Sequence, residues 1–223
     1  MKIYSFLKNI FVSLFCKDDR ISFWNHNSNY YKWIEEQIKD KNKILDVGCG
    51  EGSLVKYLNN NKRYIVWIDI SQKCIEKANQ NNKKNDNIKF ILTSFEKFES
   101  KNEYFDVIIF CATLHHMDMH TVLTKTKNLL NKKGILLIIG LYKPSSIYDW
   151  IIEILRVIPC FILSKIYNMK SSEDLDIPIS YNIPKMSEIK ENFNKIIPGY
   201  SISYGLYYRY LLKWIKNKWF LHF

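Results

Sequence analysis

No Cys-x-x-Cys pair occurs in the chain: its five cysteines, Cys16, Cys49, Cys74, Cys111 and Cys160, are odd in number and widely spaced. That argues against a disulfide framework or a zinc site and fits a reducing compartment, the cytoplasm. His115, His116 and His120 lie close together but lack the partnered carboxylates or thiolates of a ligand field, so no metal is expected. A long apolar run is also missing. The nearest candidate for a membrane span, Tyr148 to Tyr167, carries Asp149, Glu153, Arg156 and Pro159. The apolar N-terminal stretch Ile3 to Phe15 is broken by Lys8 and Asn9 and has no small-residue cleavage site after it, so a secretory signal is not expected. There is no internal repeat, and no acidic residue follows Glu191.

What the chain does have is an ordinary globular balance, 47% hydrophobic and 25% charged residues over 223 positions, enough for one domain with embellishments. The formal charge of +11 comes from lysines scattered among asparagines, and no recognised binding motif accompanies it, so no specific nucleic-acid partner is expected. From Lys43 onward short apolar runs alternate with helical patterns, the signature of βαβ units around a mostly parallel sheet. Strands are expected at Lys43 to Val47, Tyr64 to Ile68, Ile88 to Leu92, Phe105 to Phe110 and Ile135 to Leu141. Helices are expected at Leu54 to Asn60, Gln72 to Asn81 and Met119 to Leu130, the last closed by Gly134 behind Lys132 and Lys133. Farther on, Tyr148 to Tyr167 has Ile151, Ile154, Leu155 and Ile158 at helical spacing opposite Asp149, Glu153 and Arg156, an inserted amphipathic helix. Met186 to Ile196 reads as another helix, and Tyr200 to Ile215 as two closing strands joined near Gly205 to Arg209, which brings the strand count to seven.

The strongest chemical signal is the run Ile44, Leu45, Asp46, Val47, Gly48, Cys49, Gly50, Glu51, Gly52, a strand entering three glycines at alternate positions and then a helix. Such glycines let the main chain turn sharply and approach a nucleotide-like ligand. Asp69 ends the next strand, 21 residues after Gly48, where a carboxylate can accept hydrogen bonds from both ribose hydroxyls; as an alternative it caps the following helix, a role for which Ser71 competes. A dinucleotide-binding dehydrogenase shares both features, but its glycines are spaced G-x-G-x-x-G, whereas here the pattern is G-x-G-x-G with an acidic residue two before the first glycine.

With that loop, the ordered series Ile68-Asp69-Ile70-Ser71, Tyr104-Phe105-Asp106-Val107-Ile108-Ile109, Leu114-His115-His116-Met117 and Leu129 to Leu136 resembles the motifs of class I S-adenosylmethionine-dependent methyltransferases. The resemblance runs from about Asn42 to Leu141. More loosely, Asn25-His26-Asn27 with Tyr30-Tyr31, and Pro198 to Lys216, resemble a bacterial small-molecule branch of unassigned substrate. It implies an α/β, doubly wound, seven-stranded, mostly parallel sheet with an antiparallel last strand and an inserted helical cap. The single domain would divide into an N-terminal helical cap segment (1–41), a cofactor-binding core (42–141), a helical insertion (142–182) and a closing helix and strands (183–223). It also implies the cofactor S-adenosylmethionine, leaving as S-adenosylhomocysteine. Asp46, Gly48, Cys49 and Gly50 would hold its amino-acid end and Asp69 its ribose. Ile70, Ser94 and Phe95 would lie at the adenine, with Ser94 standing where the family usually has an acidic residue, and Cys111 would line the pocket.

His115 and His116 fall just beyond the fourth strand, where the methyl should emerge, and either could take a proton from an acceptor hydroxyl or amine; alternatively the pair only shapes the loop. His26 is a further acceptor-side candidate, while Glu51 and Asp118 are read as loop charges or caps. Transfer from a sulfonium is already favourable, so alignment and water exclusion can supply much of the rate. The apolar faces of the inserted helix and the N-terminal segment suggest a small greasy or aromatic acceptor, or else bury themselves in the core. The tail mixes Lys195, Arg209, Lys213, Lys216 and Lys218 with Tyr207, Tyr208, Tyr210, Trp214 and Trp219, a composition suited to weak peripheral contact with an anionic membrane. A noncatalytic cofactor-binding or membrane-association module is the alternative function, and an oxidoreductase the third.

Overall fold

The computed structural model describes residues 20, 26–48, 50, 52–60, 62–81, 86–100, 104–166 and 183–217. After a 3-10 turn at Ser28–Tyr30, the elements run α1 (Tyr31–Gln37), β1 (Lys43–Val47), α2 (Ser53–Leu58), β2 (Tyr64–Asp69), α3 (Gln72–Asn81), β3 (Ile88–Leu92) and β4 (Phe105–Cys111). A second 3-10 turn (Leu114–His116) leads to α4 (Met119–Leu129), β5 (Leu130–Leu141), α5 (Ile147–Ile166), α6 (Met186–Ile196), β6 (Ser201–Tyr204) and β7 (Arg209–Ile215). The seven strands form one sheet in the order β3-β2-β1-β4-β5-β7-β6. All pairings are parallel except those of β7, which runs against both β5 and β6. The expected sheet, with its antiparallel last strand, is therefore the one observed. The 1–19 and 21–25 parts of the N-terminal segment, the 167–182 part of the insertion and residues 218–223 lie outside the described residues.

Strands such as Val107-Ile108-Ile109-Phe110 are apolar without alternation because both faces are covered. On one face Ile44, Ile65, Val107, Ile109 and Ile139 meet Ile34 and Ile38 from the α1 end, Val55 and Leu58 from α2, and Ala78 from α3. On the other Leu45, Phe105, Ile108, Phe110 and Leu136 meet Val122 and Leu123 from α4 and Ile189 and Phe193 from α6. The chain winds one way from β1 to β3 and the other way from β4 onward, which opens a crevice beyond the carboxyl ends of β1 and β4, the place where open α/β sheets bind ligands.

Two local expectations are corrected. Gly134 does not cap α4: the helix ends at Leu129 and Leu130 is already extended. The strand then bulges, its pairing jumping from Phe105 opposite Leu130 to Val107 opposite Ile135, with Lys133 at φ +60°. The cation at the end of α4 is Lys216, whose Nζ donates to the carbonyls of Lys127 (2.6 Å) and Leu130 (2.7 Å), while Lys132 and Lys133 are exposed.

The second correction concerns α5, which sits with its charged stripe inward. Asp149, Glu153 and Arg156 are buried, whereas Ile154 and Ile158 are 66% and 68% exposed and Ile151 and Leu155 are exposed as well. The inversion is tolerated because every inward charge meets a partner. The Tyr142 hydroxyl donates to Glu153, and Arg156 Nη1 donates to the same carboxylate at 2.5 Å. Asp149 accepts from the Tyr204 hydroxyl (2.8 Å) and from the Ser145 and Ser146 amides (3.1 and 3.0 Å). Amphipathic spacing identified the helix but not which stripe turns inward.

The tail is committed to the sheet: Arg209, Tyr210 and Trp214 are buried and Lys213 Nζ donates to Gln37 Oε1 at 3.0 Å. Tyr208 is exposed, and Lys218 and Trp219 lie outside the described residues.

Candidate functional site

Asp46 is the fourth residue of β1, buried in the sheet to 1% exposure. Neither of its carboxylate oxygens has a hydrogen-bond partner among the described residues, and an unpartnered buried carboxylate is costly unless something else meets it. Burial pushes its pKa up to about 7, with the charge of Asp69 adding to the rise; the nearby Val47 amide, outside hydrogen-bond geometry, offsets a part.

The chain then turns through Gly48, Gly50 and Gly52 at φ +68°, +59° and +86°, all left-handed. The Gly48 amide donates to Ile68 O at 2.9 Å, tying the loop to the end of β2. A Cβ on Gly48 would stand 2.3 Å from Thr113 Cγ2, and the Thr113 hydroxyl itself donates to Val47 O at 2.9 Å. Around Gly50, its two chain neighbours aside, no described residue lies within 4 Å of where a Cβ would be. Gly48→Ala is expected to lower stability by about 1–3 kcal/mol, through left-handed strain and the displaced Thr113, read as a drop in melting temperature. An unchanged melt would mean that the loop relaxes without cost.

Asp69 closes β2 with its carboxylate turned to this loop: Oδ2 accepts from the Gly50 amide (3.2 Å) and Oδ1 from the Ser71 amide (2.8 Å). Ser71 takes the capping role, its Oγ accepting from the Cys74 amide at 3.3 Å. Next to Asp69, Ile70 is 65% exposed, an apolar side chain left at the rim. Ser94 and Phe95 follow β3, joined to β2 by the Thr93 amide donating to Asp69 O at 2.9 Å. The Ser94 hydroxyl accepts from the Lys97 amide at 3.3 Å, while the Phe95 ring is buried edge-on against Phe110. Cys49 and Glu51 lie outside the described residues.

Cys111 ends β4, close enough to Asp46 that this charge adds to the burial that pushes its thiol up to about 12. It is a protonated, unreactive thiol at neutral pH. The 3-10 turn then presents His115 and His116, ring centroids 4.0 Å apart. Burial, with the charges of His116 and Arg209 adding, lowers His115 to about 4, and its Nδ1 is buried without a partner among the described residues. His116 is more open and is lowered by the same burial effect. Asp118 caps α4, accepting from the Thr121 amide at 2.8 Å. His26 stands against the Tyr207 ring, centroids 4.1 Å apart, and is lowered to about 4 by burial with the Arg209 charge adding.

Sequence reasoning missed two members of this edge. Thr113 follows the fourth strand and has no motif signal of its own. Arg209 was visible only as one of several tail cations, yet it opens β7 buried against the N-terminal turn, donating to Asn27 Oδ1 and Tyr207 O. Nearby, the Tyr30 hydroxyl donates to Leu206 O at 2.8 Å and pins the N-terminal turn to the β6–β7 hairpin. Among the described residues no helix is long and apolar enough to cross a membrane, and no three His, Cys, Asp or Glu side chains could hold a metal ion.

A cation-seeking buried carboxylate, a glycine bend and a second carboxylate one strand away fit a ligand with a cationic amino-acid end and a hydroxylated sugar. Comparison with known proteins agrees. A family described as a methyltransferase domain matches residues 38–158. The chain is 31% identical over 181 residues to a ubiquinone biosynthesis O-methyltransferase of Pelagibacter ubique, covering 78% of this chain and 75% of that protein. It is 26% identical to the uncharacterized methyltransferase Rv0089 of Mycobacterium tuberculosis, over 86% of this chain and 96% of the relative. Among solved structures, PH0226 from Pyrococcus horikoshii shares the fold at TM-score 0.62 and 17% identity, over 93% of this chain and 98% of that one. The plantazolicin methyltransferase BpumL, crystallised with S-adenosylhomocysteine, matches at TM-score 0.57 and 17% identity, over 97% of each chain.

Proposed function

Because this chain belongs to the class I S-adenosylmethionine-dependent methyltransferases, we propose that it methylates a small apolar or aromatic molecule held over the carboxyl ends of β4 and β5 and the amino end of β7. The observation that carries this reading is the Asp46 carboxyl, without a hydrogen-bond partner among the described residues, beside the Gly50 bend, a buried acid that a bound cation would ionise. When bound, the cofactor supplies an electrophilic methyl group on a sulfonium. Asp46 with the Gly48–Gly50 backbone takes the amino-acid end, and Cys49 belongs to the same bend by sequence. Asp69 accepts from the ribose hydroxyls, Ile70 and the Ser94–Phe95 turn border the adenine, and Cys111 forms a neutral wall between cofactor and acceptor.

Transfer then depends chiefly on aligning the acceptor atom with the methyl and keeping water out. His115, lowered to about 4, is neutral across the physiological range. It orients an acceptor hydroxyl or amine through its free Nδ1 and is a weak base, and His116 shapes the turn beside it. Methyl release from labelled S-adenosylmethionine across a panel of small aromatic and aliphatic compounds tests the acceptor class. For a compound that turns over, His115→Ala should lower kcat roughly tenfold, short of the 10²–10⁴ lost with a general base, with a flat profile between pH 6 and 8. A loss of a thousandfold accompanied by a pH break would make His115 the base instead.

A further inference from the structure

Three arginines are buried among the described residues, Arg63, Arg156 and Arg209, and two of them have their charge answered. Arg156 pairs with Glu153, and Arg63 feels the carboxylate of Glu35 while donating to three main-chain carbonyls. Arg209, 7% exposed, has no carboxylate in ion-pair range among the described residues. Its Nε and Nη2 donate to Asn27 Oδ1 at 3.2 and 2.8 Å, and Nη1 donates to Tyr207 O at 2.9 Å. A guanidinium carries five N–H donors, so two are left, one on each Nη, for a further acceptor. Enclosing such a cation with only neutral acceptors is costly, and burial indeed lowers its pKa.

Its position gives the cost a purpose. Arg209 opens β7 opposite Leu141, the last residue of β5, so it stands at the carboxyl edge of the sheet. Two residues on, Leu211 packs on the same side of the sheet as Ile44, Ile109 and Cys111, and by strand alternation Asp46 and Arg209 face that side too. The charge of Arg209 reaches His26, Tyr30, Cys111 and His115, and Cys111 also feels Asp46. Along one edge the protein thus sets a carboxyl at the glycine bend, a neutral thiol in the middle and a cation at the far end.

We propose that Arg209 is the acid-binding residue of the acceptor site, and that the acceptor is an apolar or aromatic molecule bearing a carboxylate. This rests on the acceptor placement given above. Cationic cofactor and anionic acceptor would lie head to head, each facing the buried charge that matches it, and Asn27 would hold the guanidinium in place from the N-terminal turn.

The test is calorimetric titration of the full chain saturated with S-adenosylhomocysteine, using benzoate, phenylacetate and octanoate beside their amides. At least one acid should bind, and its amide should bind roughly ten- to hundredfold more weakly, as expected for loss of a charge-assisted pair. Arg209→Gln should bind S-adenosylhomocysteine as the parent does but lose the preference for acids, and Arg209→Lys should keep part of it. Acids and amides binding alike, none of the six binding, or an unchanged preference in Arg209→Gln would each overturn the proposal. If Arg209→Gln does not fold, the comparison of acid with amide on the parent protein and on Arg209→Lys decides. A parent protein that takes up no S-adenosylhomocysteine would instead overturn the cofactor reading.

Discussion

Replacing Asp69 with alanine is expected to weaken S-adenosylhomocysteine binding roughly hundredfold, about 3 kcal/mol, measured by calorimetric titration. The carboxylate ends β2 facing the glycine bend and already accepts from the Gly50 amide, so a bound ribose would meet an acceptor fixed in place by the protein. Asp69→Asn, which keeps the size and one oxygen, should lose less than the alanine variant. A melting curve separates the two ways the alanine variant could fail, since loss of the bonds to Gly50 and Ser71 would also loosen the bend. A variant that melts like the parent and binds the cofactor equally well would place the ribose elsewhere.

The second large effect belongs to Asp46 and runs opposite to the usual aspartate. Its folded pKa of about 7 lies above the ordinary 3.8, so the free protein binds a proton that the unfolded chain gives up. The corresponding stability is fully present below pH 4 and is lost as pH rises through 7, by ~4 kcal/mol across that window. Denaturant titrations at pH 5 and pH 8 should show Asp46→Asn losing much less stability between them than the parent does. Cofactor binding should show the converse. A cation beside the carboxylate favours its ionised form, so the parent's affinity for S-adenosylhomocysteine should rise from pH 5 to 8, and that of Asp46→Asn should be weaker and flatter. Equal pH dependence in the two proteins would mean that Asp46 does not titrate in this range. With the expected pH dependence, the same residue is a liability for folding and an asset for binding, a trade common where a site needs a buried charge.

The elements that sequence patterning located well are those whose signal is local. β1, β3, α3 and α6 begin and end where the alternation of apolar runs and turn residues puts them, and β2 and β4 run one residue longer than expected. The G-x-G-x-G bend and Asp69 were legible for the same reason: a strand end, a left-handed turn and a carboxylate at a fixed distance along the chain are all written in consecutive residues. The start of β5 was misjudged because a glycine behind two lysines is the local signature of a helix cap, and the bulge that overrides it depends on pairing with β4.

Spacing by itself determined the alternating βαβ core, the glycine bend and the acidic strand end beside it, and the family entered as a resemblance carried by those motifs. Each follows from hydrophobic period and turn chemistry acting over a few residues. Only the tertiary structure decided that α5 turns its charges inward, that Thr113 closes over Gly48, and that Asn27 and Arg209, 182 residues apart, meet at the edge of the sheet. Those outcomes depend on which distant groups can satisfy a buried charge or fill a hollow, a matter of three-dimensional neighbours that no stretch of chain carries alone.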